Sequence, residues 1–169
     1  MENLPEFGMK RENEERRDGG CGVIFDPKTK KFAVGELRKG GQYIFFGGGI
    51  NPNENIKECV LREVMEESGL HDFVYIEKLS EVITHYRNNV KNVNRMAHAT
   101  CFLLVLNSRN IQDHQLEEHE KFDLVWAQPE EIIENWESRN QEHDFDHWIF
   151  FMKKGVQRVD ELGYDTPNK

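Results

Sequence analysis

The sequence predicts a single α/β domain in which a mixed β-sheet lies between helices. Short apolar or alternating segments bounded by turn residues recur along most of the chain, as is typical of strands. Segments with helical periodicity occur after the third of these strands and again at the C-terminal end. Such an order favours a sheet covered by helices, and 169 residues suit one domain with a sizeable core.

The predicted elements begin after a charged N-terminal segment. This segment lacks periodicity, so we expect a loose, flexible arm at residues 1–17, a domain at residues 18–155 and a C-terminal extension at residues 156–169. A polar connection is predicted at residues 87–94. Strands are predicted over residues 21–26, 31–37, 43–46, 73–79, 81–86, 96–106 and 122–127, and helices over residues 54–68, from Pro129 onward, and over 144–159.

The composition excludes several classes of protein. The net charge of −9 argues against binding to a nucleic acid backbone or to an anionic membrane surface. No apolar run reaches the roughly 18 residues that a membrane span needs, and no apolar stretch follows the first basic residues as in a signal peptide. The three cysteines show no paired spacing and are interpreted as reduced packing residues, which favours a cytoplasmic protein.

The helix predicted over residues 54–68 carries an unusual group of carboxylates. Placed on a helical wheel, Glu63, Glu66 and Glu67 share one arc, although like charges three and four residues apart repel each other. The neighbouring arc is apolar and can face the core (Val60, Leu61, Val64 and Met65). Carboxylates are preferred ligands of Mg²⁺ and Mn²⁺, whereas the alternative is a charged, solvated helix face.

The spacing around these glutamates resembles a known family motif. From Gly48 the chain reads Gly, five residues, Glu54, seven residues, and then REVMEESGL up to Leu70. This resembles the Nudix box, G-x5-E-x7-R-E-U-x-E-E-x-G-U with U aliphatic, and every fixed and aliphatic position agrees. The elements on both sides, including the late Trp-containing strand followed by PEEI, are also similar to that family, so the resemblance covers roughly residues 18–155.

The resemblance implies a fold, an activity and a set of site residues. Nudix proteins are typically α/β/α sandwiches that use Mg²⁺ or Mn²⁺ to hydrolyse a diphosphate linked to another moiety. By position, the glutamates Glu63, Glu66 and Glu67 would face the metal, together with the carbonyl of Gly47. Arg62 would hold a neighbouring glutamate, Glu54 would brace the loop against the helix, and Gly48 would permit the tight loop between strand and helix.

The resemblance also implies an acidic residue from a later loop. Many members add a glutamate before the Trp strand, as metal ligand or general base; Glu120 is the first candidate here and Glu118 the second, with a solvated acidic loop as the alternative. Either Glu63 or the late-loop glutamate could orient the attacking water. The leaving phosphate could be neutralised by the metals and by Arg38 or Lys39.

The substrate-binding residues are suggested by weaker similarities. The box region is similar to that of members that remove oxidised purine nucleoside triphosphates, and DFDHWIFFMKKG is similar to their base-reading segment. By that analogy Asp144, Asp146 and Trp148 would approach a nucleobase, although Trp148 could instead anchor the last helix in the core. Tyr86, with Arg87 and Arg95, flanks a polar loop of the kind that often carries specificity (alternatively, the loop is merely solvated).

These expectations combine into one main function. We expect a Mg²⁺- or Mn²⁺-dependent pyrophosphohydrolase that acts on a nucleoside triphosphate or a related nucleoside diphosphate derivative, with a small-molecule nucleotide as its partner. Since many members dimerise, a homodimer is also compatible with the resemblance. The alternatives are a nucleotide-binding sensor without activity, which would commonly have lost box glutamates, and an isopentenyl diphosphate isomerase, which would need a catalytic cysteine.

Overall fold

The computed structural model describes residues 3–89, 91–113 and 121–164 and consists of a nine-stranded mixed sheet between helices. The predicted α/β class and layered architecture are confirmed. The strands are β1 (Glu6–Gly8), β2 (Glu15–Arg16), β3 (Gly19–Asp26), β4 (Lys31–Leu37), β5 (Tyr43–Ile44), β6 (Phe46–Gly49), β7 (Phe73–Asn88), β8 (Val93–Leu106) and β9 (Phe122–Ala127). The helices are α1 (Ile56–Ser68), α2 (Pro129–Glu137) and α3 (Asp146–Glu161).

The sheet is built around β3 and β8, which run parallel to each other at its centre. Its main path has the order β1-β7-β8-β3-β4-β5, while β2 pairs with β8, β6 with β3 and β9 with β4. The antiparallel pairing of β6 with β3 places the Gly-rich end of β6 directly before α1. The glycines of β6 and the acidic helix α1 therefore lie at the same end of the sheet.

Two apolar clusters fill the space on the two faces of the sheet. One contains Val60 and Val64 of α1, packed against alternate residues of β3, β4 and β8. The other contains Trp136 of α2 and Phe151 of α3, packed against the opposite residues of β3, β4, β7 and β8. Because successive strand residues point to opposite faces, the continuous apolar runs of β3 and β8 supply both clusters.

Helix α1 begins two residues later than predicted and ends as predicted. The side chain of Asn55 accepts a hydrogen bond from the backbone N–H of Glu58 at 2.9 Å, and this cap starts the helix. Asn53 has a positive φ of 64° and lies in the turn before the helix. Gly69 ends α1 in the left-handed conformation with a φ of 80°.

The long hairpin of β7 and β8 differs from the prediction. Two separate strands over residues 73–79 and 81–86 were predicted, followed by a polar connection over residues 87–94. Instead, β7 is one strand of 16 residues, and its pairing with β8 continues to Asn88 and Val93. A register shift between Lys78 and Ser80 interrupts the alternation, which explains why the sequence indicated two strands. The polar ends remain paired because cross-strand backbone hydrogen bonds do not require apolar side chains.

The N-terminal segment is also more ordered than predicted. The expectation of a loose arm is wrong for residues 6–8 and 15–16, because β1 pairs in parallel with β7 and β2 pairs in parallel with β8. Phe7 packs on Phe150 of α3 with ring centroids 4.9 Å apart. At the other end of the chain, α3 continues through residue 155 and joins the proposed domain to the proposed C-terminal extension. None of the helices in the described ranges is long and apolar enough to cross a membrane.

A buried histidine on β7 forms hydrogen bonds with two glutamates of the N-terminal segment. His85 is 5% exposed, and its Nε2 lies 2.6 Å from Oε2 of Glu6 while its Nδ1 lies 2.9 Å from Oε2 of Glu14. Both ring nitrogens therefore face carboxylate oxygens, an arrangement that suits the doubly protonated imidazolium. Burial alone would lower the pKa of His85, but the hydrogen bonds and charges of Glu6 and Glu14 outweigh it and raise the pKa.

We predict that this contact makes the stability of the protein depend on pH. Because the folded-state pKa of His85 is raised, the stabilisation is fully present below the unfolded value of about 6.5 and is lost as the pH rises through the folded value. Denaturant titrations between pH 5.5 and 9 should show a fall in the free energy of unfolding over the upper part of this range. The fall should be smaller in His85→Gln, and an identical pH profile for both proteins would contradict the assignment.

Candidate functional site

The site predicted from the sequence lies where the glycine end of β6 meets α1. Gly48 is paired with Gly20 and Gly49 with Gly19, so two glycine segments lie side by side in the sheet. The backbone N–H of Gly47 donates a hydrogen bond to Oε1 of Glu67 at 2.8 Å. This contact fixes the acidic edge of the helix against the strand.

Gly48 has a steric reason to be glycine. A Cβ built on Gly48 would lie 2.6 Å from Cδ of Glu63, which is closer than real Cβ atoms approach a carboxyl carbon. The missing side chain therefore lets the Glu63 carboxylate lie directly against the backbone of β6. Any larger residue at position 48 would displace this carboxylate.

Arg62 is the centre of the hydrogen-bond network at the site. Its Nε donates to Oε2 of Glu54 at 2.6 Å, and its NH2 donates to Oε1 of Glu54 at 2.9 Å, which is a bidentate pair. Its NH1 donates to Glu63 at 2.9 Å and to Glu66 at 3.3 Å, and its NH2 also contacts the carbonyl of Gly49 at 3.3 Å. One guanidinium therefore joins the loop, the glycine strand and two of the three glutamates.

The loop between β6 and α1 is held by Glu54. In addition to Arg62, its Oε1 accepts a hydrogen bond from the backbone N–H of Asn51 at 3.0 Å. The hydrogen bond from Arg62, followed by that from Asn51, lowers the pKa of Glu54 to about 2, so the carboxylate stays ionised at any physiological pH. The bracing contacts that the resemblance implied for Glu54 and Arg62 are thus present.

The acidic edge has the donor chemistry of a site for a hard divalent cation. Its three carboxylates lie within five residues of one helix, and the side chain of Glu66 is 48% exposed while that of Glu63 is 18% exposed. Across the described ranges, however, no group of three His, Cys, Asp or Glu side chains converges on a point where it could hold a metal ion. The carboxylates therefore suit Mg²⁺ or Mn²⁺ by their type and by their position on one edge of the helix. In this structure they are directed toward Arg62 and the Gly47 N–H and not toward a common point.

Three of the residues predicted to serve chemistry are not placed by the structure beside this edge. Glu120 and its alternative Glu118 lie outside the described residues. Arg38 forms an exposed ion pair with Asp123 of β9 at 3.0 Å, at the turn between β4 and β5. Its predicted role toward the leaving phosphate stays a prediction.

The residues predicted to read a base lie at the start of α3, where they have structural partners. Asp144 accepts from NH2 of Arg11 at 3.0 Å and from the backbone N–H of Arg87 at 3.2 Å. Asp146 accepts from Nδ2 of Asn140 at 2.6 Å. The ring of Trp148 belongs to a cluster with Phe45, Trp136 and Phe145, as the core interpretation of this residue required.

The ring of Tyr86 on β7 faces the ring of His147 on α3. Their rings are nearly parallel with centroids 6.1 Å apart, and the ring of His147 also lies 5.8 Å from that of Trp148. Burial lowers the pKa of His147 to about 4, so the imidazole is neutral at neutral pH, and its buried Nδ1 has no hydrogen-bond partner among the described residues. The sequence gave no signal for this stack, because the two residues are 61 positions apart on different elements.

The cysteines are packing residues, as predicted. Cys21, Cys59 and Cys101 are all buried and unpaired. Burial, the largest effect, raises the pKa of Cys59 to about 11, and the charges of Glu54, Arg62, Glu63 and Arg17 also act on this thiol. A thiol with so high a pKa is a poor nucleophile at neutral pH.

Sequence reasoning missed one cation at the site. Arg17 lies in the segment interpreted as a loose arm, but its NH1 donates to the carbonyl of Ile50 at 2.9 Å, one residue after the glycine run. A Cβ on Gly49 would overlap the Arg17 guanidinium. The signal that could have found it is the position of RRDGG immediately before the first buried strand.

Comparisons with known proteins agree on one family. A family model described as "NUDIX domain" matches residues 15–150. No curated protein matches the chain.

Several solved structures share the fold. The NUDIX domain of Shewanella oneidensis NrtR in complex with ADP ribose is similar with a TM-score of 0.60 at 16% identity, covering 88% of this chain and 90% of that one. The MutT protein from Methanosarcina mazei Go1 gives 0.55 at 18% identity, covering 88% and 98%. The Ap4A hydrolase of C. elegans, solved as a binary complex, gives 0.55 at 14% identity, covering 86% and 98%. At these identities the likeness shows the fold alone.

We predict that Arg62→Ala destabilises the protein far more than loss of a surface ion pair. The substitution leaves Glu54, whose side chain is 11% exposed, without its bidentate partner and unlinks the loop from α1. Thermal unfolding should show Tm lower by about 5 °C. Arg38→Ala is the matched control, since Arg38 and Asp123 are 59% and 60% exposed, and it should change Tm by no more than about 1 °C. Equal shifts for the two variants would contradict a central role for Arg62.

Proposed function

The chain belongs to the Nudix family, and on that premise we propose that it is a divalent-metal-dependent pyrophosphohydrolase. Its substrate is a nucleoside triphosphate, with oxidised purine nucleotides as candidates, or a related nucleoside diphosphate derivative. The observation that carries the proposal is the complete set of Glu63, Glu66 and Glu67 on one edge of α1, beside the glycine strand and braced by Arg62. A chain that only sensed nucleotides would have no need of all three carboxylates.

The proposed metal ligands are the three glutamates together with the Gly47 carbonyl. All are oxygen donors, and the hydrogen bond between Glu67 and the Gly47 N–H already holds strand and helix at contact distance. When bound, Mg²⁺ or Mn²⁺ would neutralise phosphate charge and increase the acidity of water at the site. The ion would also remove the repulsion between the three carboxylates.

The remaining residues of the box act by orienting these ligands. Arg62 limits the rotation of Glu63 and Glu66, because both accept from the same NH1. Glu54 keeps Arg62 in place and stays ionised, so the orientation does not change near neutral pH. Glu63 or Glu120 would take the proton from the water that attacks phosphorus, and in the triphosphate case the products are a nucleoside monophosphate and pyrophosphate.

The base side of the substrate is proposed to face α3 and the end of the β7–β8 hairpin. Tyr86 offers an aromatic face beside His147, and Asp144 and Asp146 offer hydrogen-bond acceptors at the start of α3. Trp148 packs among aromatic side chains and would shape this region more than contact a base. Arg38 remains a candidate for the phosphate end.

We predict that Glu66→Gln and Glu67→Gln each lower kcat by about a hundred- to a thousandfold with the fold intact. Each change removes a negative charge from the proposed metal site but keeps the side-chain shape. The assay incubates the protein with Mg²⁺ or Mn²⁺ and a panel of nucleoside triphosphates, oxidised triphosphates, dinucleoside polyphosphates, ADP-ribose and nucleotide sugars. Release of phosphate and pyrophosphate is followed.

Glu58→Gln is the matched control for this experiment. Glu58 is exposed on the same helix and its carboxylate accepts a hydrogen bond from the cap residue Asn55, away from the three glutamates of the site, so activity should be unchanged. Activity that persists in both site variants, or without divalent cation, would overturn the metal assignment. Failure of the wild-type protein to turn over any compound of the panel would favour a sensor instead.

We predict that Asp146→Asn changes the preference among bases. The substitution exchanges an acceptor for a donor at the start of α3, so the ratios of kcat/KM between purine and pyrimidine triphosphates should change by about tenfold. Asp160→Asn, at an exposed position near the other end of α3, is the control and should leave the ratios unchanged. Equal losses on all bases would show that Asp146 only stabilises the start of the helix.

A further inference from the structure

The proposed substrate carries several negative charges, and the site that would receive it is itself acidic. Three glutamates lie on one edge of α1, and the whole chain has a net charge of −9. A metal ion offsets part of this charge, but the remaining phosphoryl groups need a cation of the protein itself. The cations near the glycine strand can be compared one by one.

Most arginines at this end of the molecule are already paired with carboxylates. Arg62 is bound to Glu54, Glu63 and Glu66, and its donors are directed toward the helix and loop. Arg16 forms an ion pair with Asp18 at 3.0 Å, and Arg95 forms one with Glu15 at 3.5 Å. Each of these guanidinium groups therefore has its charge offset locally.

Arg17 differs from them. It is exposed, and within the described ranges its guanidinium forms no ion pair with a carboxylate; its one side-chain hydrogen bond goes to the carbonyl of Ile50 at 2.9 Å. The backbone holds the residue in place, since its N–H donates to the carbonyl of Met96 at 3.0 Å and the neighbouring Asp18 carbonyl accepts from the N–H of Ile50 at 3.0 Å. The cation is therefore fixed in position while several of its donors remain available.

The position of Arg17 relative to the glutamates is defined by the glycine run. A Cβ on Gly48 would meet Glu63, whereas a Cβ on Gly49 would meet the guanidinium of Arg17. Because successive residues of a strand point to opposite faces, the carboxylate and the guanidinium lie on opposite sides of the same short backbone segment. The family motif allows any residue at position 49. The guanidinium of Arg17, which occupies the space of a side chain there, gives a steric reason for the glycine.

Electrostatic effects on two other residues agree with this location. The Cys59 thiol beneath α1 experiences the charge of Arg17 as well as those of Glu54 and Glu63. Tyr86, on the other face of the sheet, has its pKa raised by burial, and the charges of Arg95 and Arg17 oppose that effect. Arg17 thus lies within electrostatic reach both of the acidic edge and of the region proposed for the base.

We propose that Arg17 binds the phosphate chain of the substrate, holding one phosphoryl group at the glycine strand while the acidic edge of α1 serves the reacting phosphorus. The proposal rests on the proposed function and names a binding residue for the same site. A guanidinium suits this role because it presents parallel N–H donors to phosphate oxygens, and the bond to Ile50 orients it before the substrate arrives.

The test uses the full chain and two variants that act on Arg17 differently. Arg17→Ala removes the cation. Gly49→Ala keeps it but displaces it, because the added methyl overlaps the end of a flexible side chain and Gly49 is not among the residues with positive φ. Arg16→Ala is the control, since it removes the same charge from the adjacent residue, whose partner is Asp18.

Two readouts are measured for each protein. The first is the Kd for inorganic tripolyphosphate by calorimetry, with and without Mg²⁺, and the second is kcat and KM for the best substrate of the panel, with Tm as a check on folding. Arg17→Ala and Gly49→Ala should both raise Kd and KM by about tenfold or more, with a smaller change in kcat and little change in Tm. Arg17→Lys should lie between them and the wild-type protein, and Arg16→Ala should match the wild-type protein.

The other outcomes decide against the proposal. Unchanged tripolyphosphate binding in Arg17→Ala, or no binding by the wild-type protein, overturns it. Loss of binding in Arg17→Ala but not in Gly49→Ala, together with a lower Tm, shows a purely structural residue, and an equal loss in Arg16→Ala shows a non-specific charge effect. If the wild-type protein binds tripolyphosphate but hydrolyses no nucleotide, the proposed function fails while the binding data still decide the role of Arg17.

Discussion

The bidentate ion pair between Arg62 and Glu54 is the contact on which the rest of the site depends. Glu54 belongs to the loop and Arg62 to the helix, so the pair sets the distance between the glycine strand and α1. The same guanidinium limits the positions of Glu63 and Glu66. Because both oxygens of Glu54 are used and the side chain is largely shielded from water, the pair is more strongly coupled than a surface ion pair. Four fixed positions of the family motif are thus one connected network.

The glycine strand separates charges of opposite sign. Three consecutive glycines allow a carboxylate to contact the backbone on one side and a guanidinium to contact it on the other. Side chains at these positions would hold the two charges several ångströms further from the backbone and weaken their action on anything bound along it. The short strand β6 therefore serves the site through the absence of side chains, and it is paired in the sheet with Gly19 and Gly20 of β3.

Much of the fold and of the acidic edge could be predicted from the sequence because both depend on local patterns. Strands and helices follow from the spacing of apolar residues, and Gly69 ends α1 as a left-handed glycine at a predictable place. The motif brings Gly48, Glu54, Arg62 and the glutamates together because its spacings span one turn and one helix. The start of α1 was placed two residues too early because the cap depends on the contact of Asn55 with Glu58, which the spacing of the residues does not reveal.

The contributions of the N-terminal segment could not be predicted for a different reason. Its strands have two or three residues, too few for any alternation to be visible, and their partners are distant in the chain. Glu6 and His85 are separated by 79 positions, and Arg17 and Ile50 by 33. Nothing in the local composition indicates which basic residue has a carboxylate partner and which does not. The stack of Tyr86 on His147 belongs to the same class of long-range contacts.

The parallel pairing of β1 with β7 and of β2 with β8 has a consequence for the order in which the elements of the protein fold. The β7–β8 hairpin can form from contiguous residues, whereas the N-terminal strands must wait until that hairpin exists, since contacts between distant residues form late in folding. During synthesis the segment emerges before the hairpin and remains without these partners until β7 and β8 have been made. Its high density of charged side chains keeps these unpaired strand edges from associating with other chains in that interval. The charged composition that leaves no visible strand pattern in the segment is therefore also a composition that disfavours aggregation while the segment is unfolded.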